Sequence, residues 1–448
     1  MTVAQIAIDR VHPTQQLQQQ GLLERIWTGY HGNNFKKLID TFTFKPFMNR
    51  PSLKFHLHQT RVKREKIQEL KYLTMKMIVI FYPHIDEYGG IERNIIGLAM
   101  KTIKMNLRPV LLCFYDKLNM RSYYPELETV ELGDHWNPLI KSLRLQRWLR
   151  ANRENIMGLP LFFSGKAGFY AAVLQMKPYP YVLHFTDPVS LLKGGKQKKG
   201  FRAAVDKPRA WISSWLMAQG VMKASVCLTM THRNAEELKE DYGRNFDVVF
   251  QGGVPPVGLA PSVPRCHGNT LRLFSICRLT YSKNLDWILS TAAYLLEKQL
   301  SVLGFDTLEV VIAGKGPALA YLKTRTEELA ISKHVYFPGF LSPEEMEEQY
   351  QLADLFLVPG KQGYGLPILE ALYRRVPVVQ NKESRISELL QGNAWVAITE
   401  DAPHAFTQAV VEHVAKMRTN YPDEECLSTL QTEEGWAVEI GDRCNWWR

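Results

Sequence analysis

The chain is poor in the features that mark secreted, membrane-spanning or metal-bound proteins. Its six cysteines, Cys113, Cys227, Cys266, Cys277, Cys426 and Cys444, are scattered through 448 residues, with Cys113, Cys227 and Cys277 inside apparent core strands. That spacing builds neither a disulfide framework nor a zinc site and suits reduced, buried thiols. No apolar run approaches bilayer-spanning length, and the polar amino terminus lacks the apolar stretch of a secretory signal, so a cytosolic protein is expected. No Asp-x-Asp pair is present to chelate a metal–diphosphate complex, and no Ser/His/Asp order is evident. Gly360-Lys361 lacks the glycine spacing and hydroxyl residue of a P-loop. Acidic residues are in deficit, 45 Asp and Glu against 55 Lys and Arg, giving a net charge of +10 that favours an acidic surface as partner.

What the chain does have is a glycine-rich turn between a strand and a helix. Ala353-Asp354-Leu355-Phe356-Leu357-Val358 is an apolar run of strand length, and Pro367 suits the first position of a helix that continues through Ile368, Leu369 and Leu372. Between them lies Pro359-Gly360-Lys361-Gln362-Gly363-Tyr364-Gly365-Leu366. Gly363 and Gly365 allow a tight turn and close approach to a ligand, and the free N–H groups of the new helix suit a phosphate. Glu370, one turn in, is placed to accept hydrogen bonds from a ribose diol.

Three further strand ends precede it. Leu273-Phe274-Ser275-Ile276-Cys277 leads to Arg278 and, five positions on, Lys283; Val310-Val311-Ile312-Ala313 leads to Gly314-Lys315-Gly316-Pro317; Val335-Tyr336-Phe337 leads to Pro338-Gly339-Phe340. Strands alternating with helical patterns imply a parallel, doubly wound sheet, whose ligand crevice lies at the carboxyl ends of its strands. Arg278, Lys283, Gly314, Gly339 and Gly363 all fall at that end.

With these four elements in order, the block from Leu273 to about Glu400 resembles the nucleotide-sugar half of retaining glycosyltransferases of family 4, which have the GT-B fold. The resemblance implies two Rossmann-like doubly wound parallel-sheet domains facing a cleft. It implies that Arg278 and Lys283 clamp the donor diphosphate, that Glu370 holds the ribose, and that Phe340 lines the nucleobase slot. Gly314, Gly363, Tyr364, Gly365 and Leu366 complete the implied donor site. The chain departs from the family at Gln362, where a Glu normally faces the transferred sugar; Gln keeps an acceptor and adds a donor but carries no charge. That departure motivates an alternative, a noncatalytic GT-B module that binds nucleotide-sugar or glycan as a partner subunit. A GT-B enzyme of another reaction, such as sugar-phosphate synthesis, would share most of the motifs.

The amino-terminal half is expected to supply the acceptor side. Met77-Ile78-Val79-Ile80-Phe81-Tyr82-Pro83 reads as a buried strand, followed by Gly89-Gly90-Ile91-Glu92-Arg93-Asn94 and a helical pattern through Ile95, Leu98 and Ala99. This looks like the first strand, glycine loop and helix of the GT-B acceptor domain, with Gly89 and Gly90 under the donor phosphates. Tyr181-Val182-Leu183-His184-Phe185 resembles the strand end where the family places a His against the donor sugar, which makes His184 a catalytic candidate with Arg278, Lys283 and Gln362. Pro255, Pro256, Gly258, Pro261 and Pro264 give linker composition. Four segments follow: a basic extension over 1–74, an acceptor-side domain over 75–262, a nucleotide-sugar domain over 263–420, and a tail over 421–448 that could pack back on the first domain.

Two basic stretches remain. From Lys36 to Lys76 cations outnumber carboxylates among interleaved phenylalanines, and Lys193 to Arg202 is cationic ahead of Trp211 and Trp215. Both suit an anionic membrane surface, and no nucleic-acid module accompanies them. The expectation is a metal-independent, cofactor-free transferase, peripheral on the inner face of a membrane, that uses a nucleotide-sugar donor and a glycan or lipid-linked acceptor.

Overall fold

The computed structural model describes residues 75–186, 214–255, 265–266, 268–420 and 422–447. The extension over 1–74, the loop from Lys193 to Arg202 and Trp211 lie outside the described residues.

Two parallel sheets organise the rest, as the alternation of strand and helix patterns requires. The first contains β1 (Met77–Phe81), β3 (Arg108–Cys113), β5 (Glu128–Glu131), β6 (Leu161–Phe163), β7 (Val182–Phe185), β8 (Val226–Thr229) and β9 (Asp247–Val248), in the order β5-β3-β1-β6-β7-β8-β9. A small parallel pair, β2 (His84–Ile85) with β4 (Tyr115–Asp116), extends beyond the ends of β1 and β3. The second sheet contains β10 (Thr270–Ile276), β11 (Thr307–Ala313), β12 (Val335–Tyr336), β13 (Leu355–Val358), β14 (Val378–Asn381) and β15 (Val396–Thr399), in the order β12-β11-β10-β13-β14-β15. Each sheet begins near its middle, grows outward to one edge, then returns to the middle and grows to the other. The order therefore reverses between β1 and β6 in one sheet and between β10 and β13 in the other, and at such switch points the loops diverge to leave a crevice.

Strand period two explains why these runs are apolar throughout. Met77, Val79 and Phe81 enter one core cluster while Ile78 and Ile80 enter another on the opposite face, so β1 is covered on both sides. Each fully buried side chain of this kind contributes about 1.5–3 kcal/mol. Cys113 and Cys227 lie in such strands; Cys277 does not, because β10 ends at Ile276 and the residue after it is only half-buried.

Several helices begin at recognisable signals. Helix α1 (Gly90–Lys104) starts after Gly89, and the Glu92 carboxylate turns back to accept the Gly89 N–H at 3.0 Å. In α2 (Pro138–Ala151) the Asn137 side chain accepts the Leu139 N–H at 2.9 Å, with Pro138 opening the helix. In α3 (Pro343–Leu352) Ser342 and Glu345 form a reciprocal capping box. Helix α4 (Leu366–Tyr373) follows the glycine-rich turn.

The last helix, α5 (Glu433–Arg443), packs on α1 and joins the first core through Trp436, Ala437 and Ile440, and Cys444 and Trp446 just after it do the same. The chain crosses between the two sheets there as well as at the linker, and the crossings are tied together: Gly253 N–H donates to Gln431 O at 3.2 Å and Glu433 N–H to Gly253 O at 2.8 Å. A third tie is the Glu388 carboxylate, which accepts the N–H groups of His232 and Arg233 at 2.6 and 3.1 Å where the helix His232–Tyr242 begins.

Candidate functional site

The loops that follow β1, β10 and β13 meet at the two switch points. A cavity of about 710 Å³ lies there, lined on one side by the β1–α1 loop, including His84, Asp86, Tyr88, Gly89 and Gly90, and on the other by Arg278. Arg278 is exposed and its guanidinium has no partner among the described residues. A free cation thus faces the paired glycines whose backbone could approach an anion.

The carboxyl-terminal wall is a set of interlocked loops. Leu279 N–H donates to Lys315 O and Ala318 N–H to Leu279 O, both at 3.0 Å, while Gly314 N–H donates to Gly339 O at 2.6 Å. These bonds hold the Arg278 loop beside the two glycine loops that precede Phe340. Phe340 itself is 74% exposed, an unusual state for so large an apolar ring and a suitable one for a stacking surface.

Lys283 is fixed to the glycine-rich turn. Its Nζ donates to Lys361 O at 2.5 Å and to Gln362 Oε1 at 2.6 Å. Burial holds its pKa below the usual lysine value, with a small opposing effect from Cys277. Gly360 makes the approach possible, since a Cβ there would lie 2.3 Å from the Lys283 carbonyl carbon. Gly365 takes φ +116, a conformation that side chains rarely adopt, and this delivers the chain into α4. Gln362, Gly363 and Leu366 are half-buried along the turn.

Three expected site residues are placed differently. His184 is fully buried on β7, edge-on to Phe163 at 5.4 Å and to Trp436 at 6.4 Å, and neither ring nitrogen has a hydrogen-bond partner among the described residues. Burial lowers its pKa to about 3, so the ring is neutral. The tail helix α5 covers the side of β7 that the sequence reading left open to a sugar, and His184 therefore has no access to the cavity. Tyr364 is 7% exposed and its hydroxyl donates to Gln251 O at 2.8 Å, so its side chain braces the linker instead of facing a donor. Glu370 is buried, accepts from Arg93 Nη2 of α1, and lies 3.4 Å from the Tyr350 hydroxyl. Both carboxylate oxygens are thus engaged in this structure. Burial works against the Arg93 charge, but Glu370 more than offsets it and holds that guanidinium above its ordinary pKa.

Sequence reasoning passed over Arg93, Tyr350 and the polar wall from His84 to Tyr88. Arg93 directly follows the Gly89-Gly90-Ile91-Glu92 motif, but nothing in its neighbours signals a partner on another lobe. The wall residues lie in a loop without periodicity, where only the position after β1 could have drawn attention. The described residues contain no group of three or more His, Cys, Asp or Glu side chains arranged to hold a metal ion, and no helix among them is long and apolar enough to cross a membrane.

Residues 265–419 match the family described as Glycosyl transferases group 1. Over 157 residues the chain is 30% identical to an alpha-monoglucosyldiacylglycerol synthase of Streptococcus pneumoniae, a match covering 35% of this chain and 34% of that protein. Over 163 residues it is 28% identical to the putative colanic acid biosynthesis glycosyltransferase WcaL of Escherichia coli, covering 34% of this chain and 39% of that one. The matches thus span little more than a third of these relatives' lengths. Solved structures align over more: Anabaena Alr3699/HepE in complex with UDP superposes with a TM-score of 0.62 at 15% identity, over 82% of this chain and 99% of that one. The apo form of the lipopolysaccharide outer core galactosyltransferase WaaB gives 0.61 at 12% identity, over 82% and 98%. The chain has the GT-B fold, and its carboxyl-terminal lobe is the part that matches the glycosyl transferases group 1.

Proposed function

We propose that this chain is a retaining glycosyltransferase of family 4 that moves a sugar from a nucleotide-diphosphate sugar to a hydroxyl acceptor. The observation that carries the reading is the cavity lined by Gly89, Gly90 and Arg278, whose guanidinium has no partner among the described residues, with Lys283, five positions on, bonded to the glycine-rich turn. The donor diphosphate lies between these groups. Arg278 and Lys283 stabilise the negative charge that grows on the leaving phosphate as the anomeric bond breaks, a role that positioned cations fill without a metal ion or other cofactor. The acceptor oxygen attacks the anomeric carbon from the face the diphosphate leaves, and its proton passes to a phosphate oxygen of the leaving group. Gln362, hydrogen-bonded to Lys283, leaves that lysine its full charge for the diphosphate.

The relatives named for monoglucosyldiacylglycerol synthesis and for colanic acid biosynthesis support a glycan or glycolipid acceptor, which this chain would reach from the cytoplasmic surface of a membrane. The start and one face of α2 support peripheral attachment: Trp136, two residues ahead of the helix, is 88% exposed, and exposed Leu139 and Leu143 continue into exposed Arg147 and Arg150. Anionic vesicles should retain the protein and added salt should release it.

The test of the reaction is a panel of nucleotide sugars, each with a mixture of glycan and glycolipid acceptors, with products detected by mass and their anomeric configuration read by NMR. One donor giving a product with the donor's own anomeric configuration is expected. An inverted product, or no transfer from any donor, would overturn the reading.

A further inference from the structure

The two walls of the cavity differ in character. Arg278 stands on the carboxyl-terminal wall, whereas Asp86, Glu87 and Tyr88 are exposed together on the opposite one. Asp86 is held in place: it accepts from Lys117 Nζ at 2.7 Å and from the Tyr115 hydroxyl at 3.1 Å. These bonds, that from Lys117 foremost, keep its carboxyl below the usual range and therefore ionised. Lys117 balances the charge of Asp86 and Lys141 that of Asp134, with Lys166 the further cation near His84, and Glu87 is the carboxylate of this wall that has no cation partner among the described residues. His84 adds no cation, because burial and the nearby Lys141 lower its pKa and keep it neutral at pH 7.

Beside the carboxylates lies an aromatic platform. The rings of Tyr88 and Tyr123 stack with centroids 4.9 Å apart and planes within 15°, yet the two residues are 46% and 51% exposed. The pair stands half in water, and Tyr88 lines the cavity, so it offers aromatic surface to a ligand there. A pyranose ring is complementary to such a surface, since one face presents C–H groups and its edge presents hydroxyl donors. A phosphorylated or carboxylated acceptor would instead meet like charge at Asp86 and Glu87.

We infer that the acceptor is an uncharged sugar residue that stacks on Tyr88 and Tyr123 and donates its hydroxyls to Asp86 and Glu87, an assignment that rests on the donor site proposed above. The neutral sugar is the terminal residue of a glycan or the headgroup of a glycolipid. Selectivity against anionic acceptors lies in the two carboxylates, and affinity for the ring lies in the two tyrosines.

The test uses the full chain. Saturation-transfer NMR and titration compare the methyl glycosides of glucose, galactose, mannose and N-acetylglucosamine with their 6-phosphates, and then with the octyl glycosides. At least one neutral glycoside should bind ten-fold or more tighter than its phosphate. Tyr88→Ala and Tyr123→Ala should each weaken it about ten-fold, and Asp86→Asn with Glu87→Gln should narrow the gap to the phosphate. Tighter binding of the octyl form would identify a glycolipid, and equal binding a soluble glycan. Binding of UDP, GDP and ADP to wild type and to Arg278→Ala reports the donor site separately. If a nucleotide binds through Arg278 but no neutral glycoside does, or if the phosphates bind as well, the acceptor assignment fails and the donor site stands. If no nucleotide binds, the donor reading fails whatever the sugars do.

Discussion

Arg93 and Glu370, 277 residues apart in sequence, form an ion pair that ties helix α1 of one lobe to helix α4 of the other. The glutamate side chain is 3% exposed and the arginine 27%, so the pair is screened by protein on most sides. It joins the lobes at the carboxylate that the family resemblance assigns to the donor ribose.

Breaking that pair should be costly. Arg93→Ala leaves a buried carboxylate beside the Tyr350 hydroxyl and within reach of the Glu433 carboxylate, and loss of one partner of a buried pair costs about 3–5 kcal/mol. Urea denaturation would read this directly, and Arg93→Met with Glu370→Met should recover much of the loss. A loss below about 1 kcal/mol would mean that the pair is not formed in solution.

Arg278 and Lys283 should matter for transfer more than for folding. Replacing either with Ala is expected to lower kcat/KM by about 2–4 kcal/mol of transition-state stabilisation, the scale of a lost oxyanion donor. Thermal melting of Arg278→Ala should stay near wild type, because the exposed guanidinium has no partner among the described residues to lose. Unchanged turnover in both variants would remove them from the donor site.

The Lys283–Gln362 contact gives a pH signature. Burial lowers the Lys283 pKa, so the ammonium required by the diphosphate is lost as pH rises through a value below the ordinary one of 10.5, and the alkaline limb of the rate profile should fall there. Gln362→Glu places a carboxylate where the amide oxygen now lies 2.6 Å from Nζ, which stabilises the ammonium and should move that limb to higher pH. A limb that stays in place would show that another group controls it. A wild type inert on every donor, yet switched on by this substitution, would favour the binding-module alternative.

His184 should act on stability and not on transfer. Its folded pKa of about 3 lies below the unfolded value of 6.5, so the unfolded chain takes up the proton first. The stability it allows at neutral pH is therefore lost as pH falls from 6.5 towards 3, by about 2 kcal/mol at pH 5. His413, held near 4 by burial, adds to the same loss. His184→Leu should flatten part of the decline in denaturation measurements and retain turnover within a few-fold. A collapse of turnover in a folded His184→Leu would return the residue to the active site.

The sequence by itself determined the parts whose signal is local. Continuous apolar runs of strand length marked both sheets, because a strand covered on two faces must be apolar throughout, and Met77–Phe81 and Leu355–Val358 are such strands. Glycine marked the turns, because Gly360 and Gly365 occupy places where a side chain would collide or strain the backbone. Arg278 and Lys283 were legible because each stands at a fixed distance from a strand end. Only the tertiary structure decided what each side chain faces. Glu370 lies one turn into α4 as read, but Arg93 reaches it from another lobe, and His184 ends β7 as read, but Trp436 from the far end of the chain covers it. Tyr88 and Tyr123 are unremarkable in sequence and become a platform only because β1 and β3 lie side by side and bring their following loops together. Local backbone geometry is encoded by neighbours in the chain, whereas exposure, pairing and charge balance depend on segments hundreds of residues away, which no spacing rule reports.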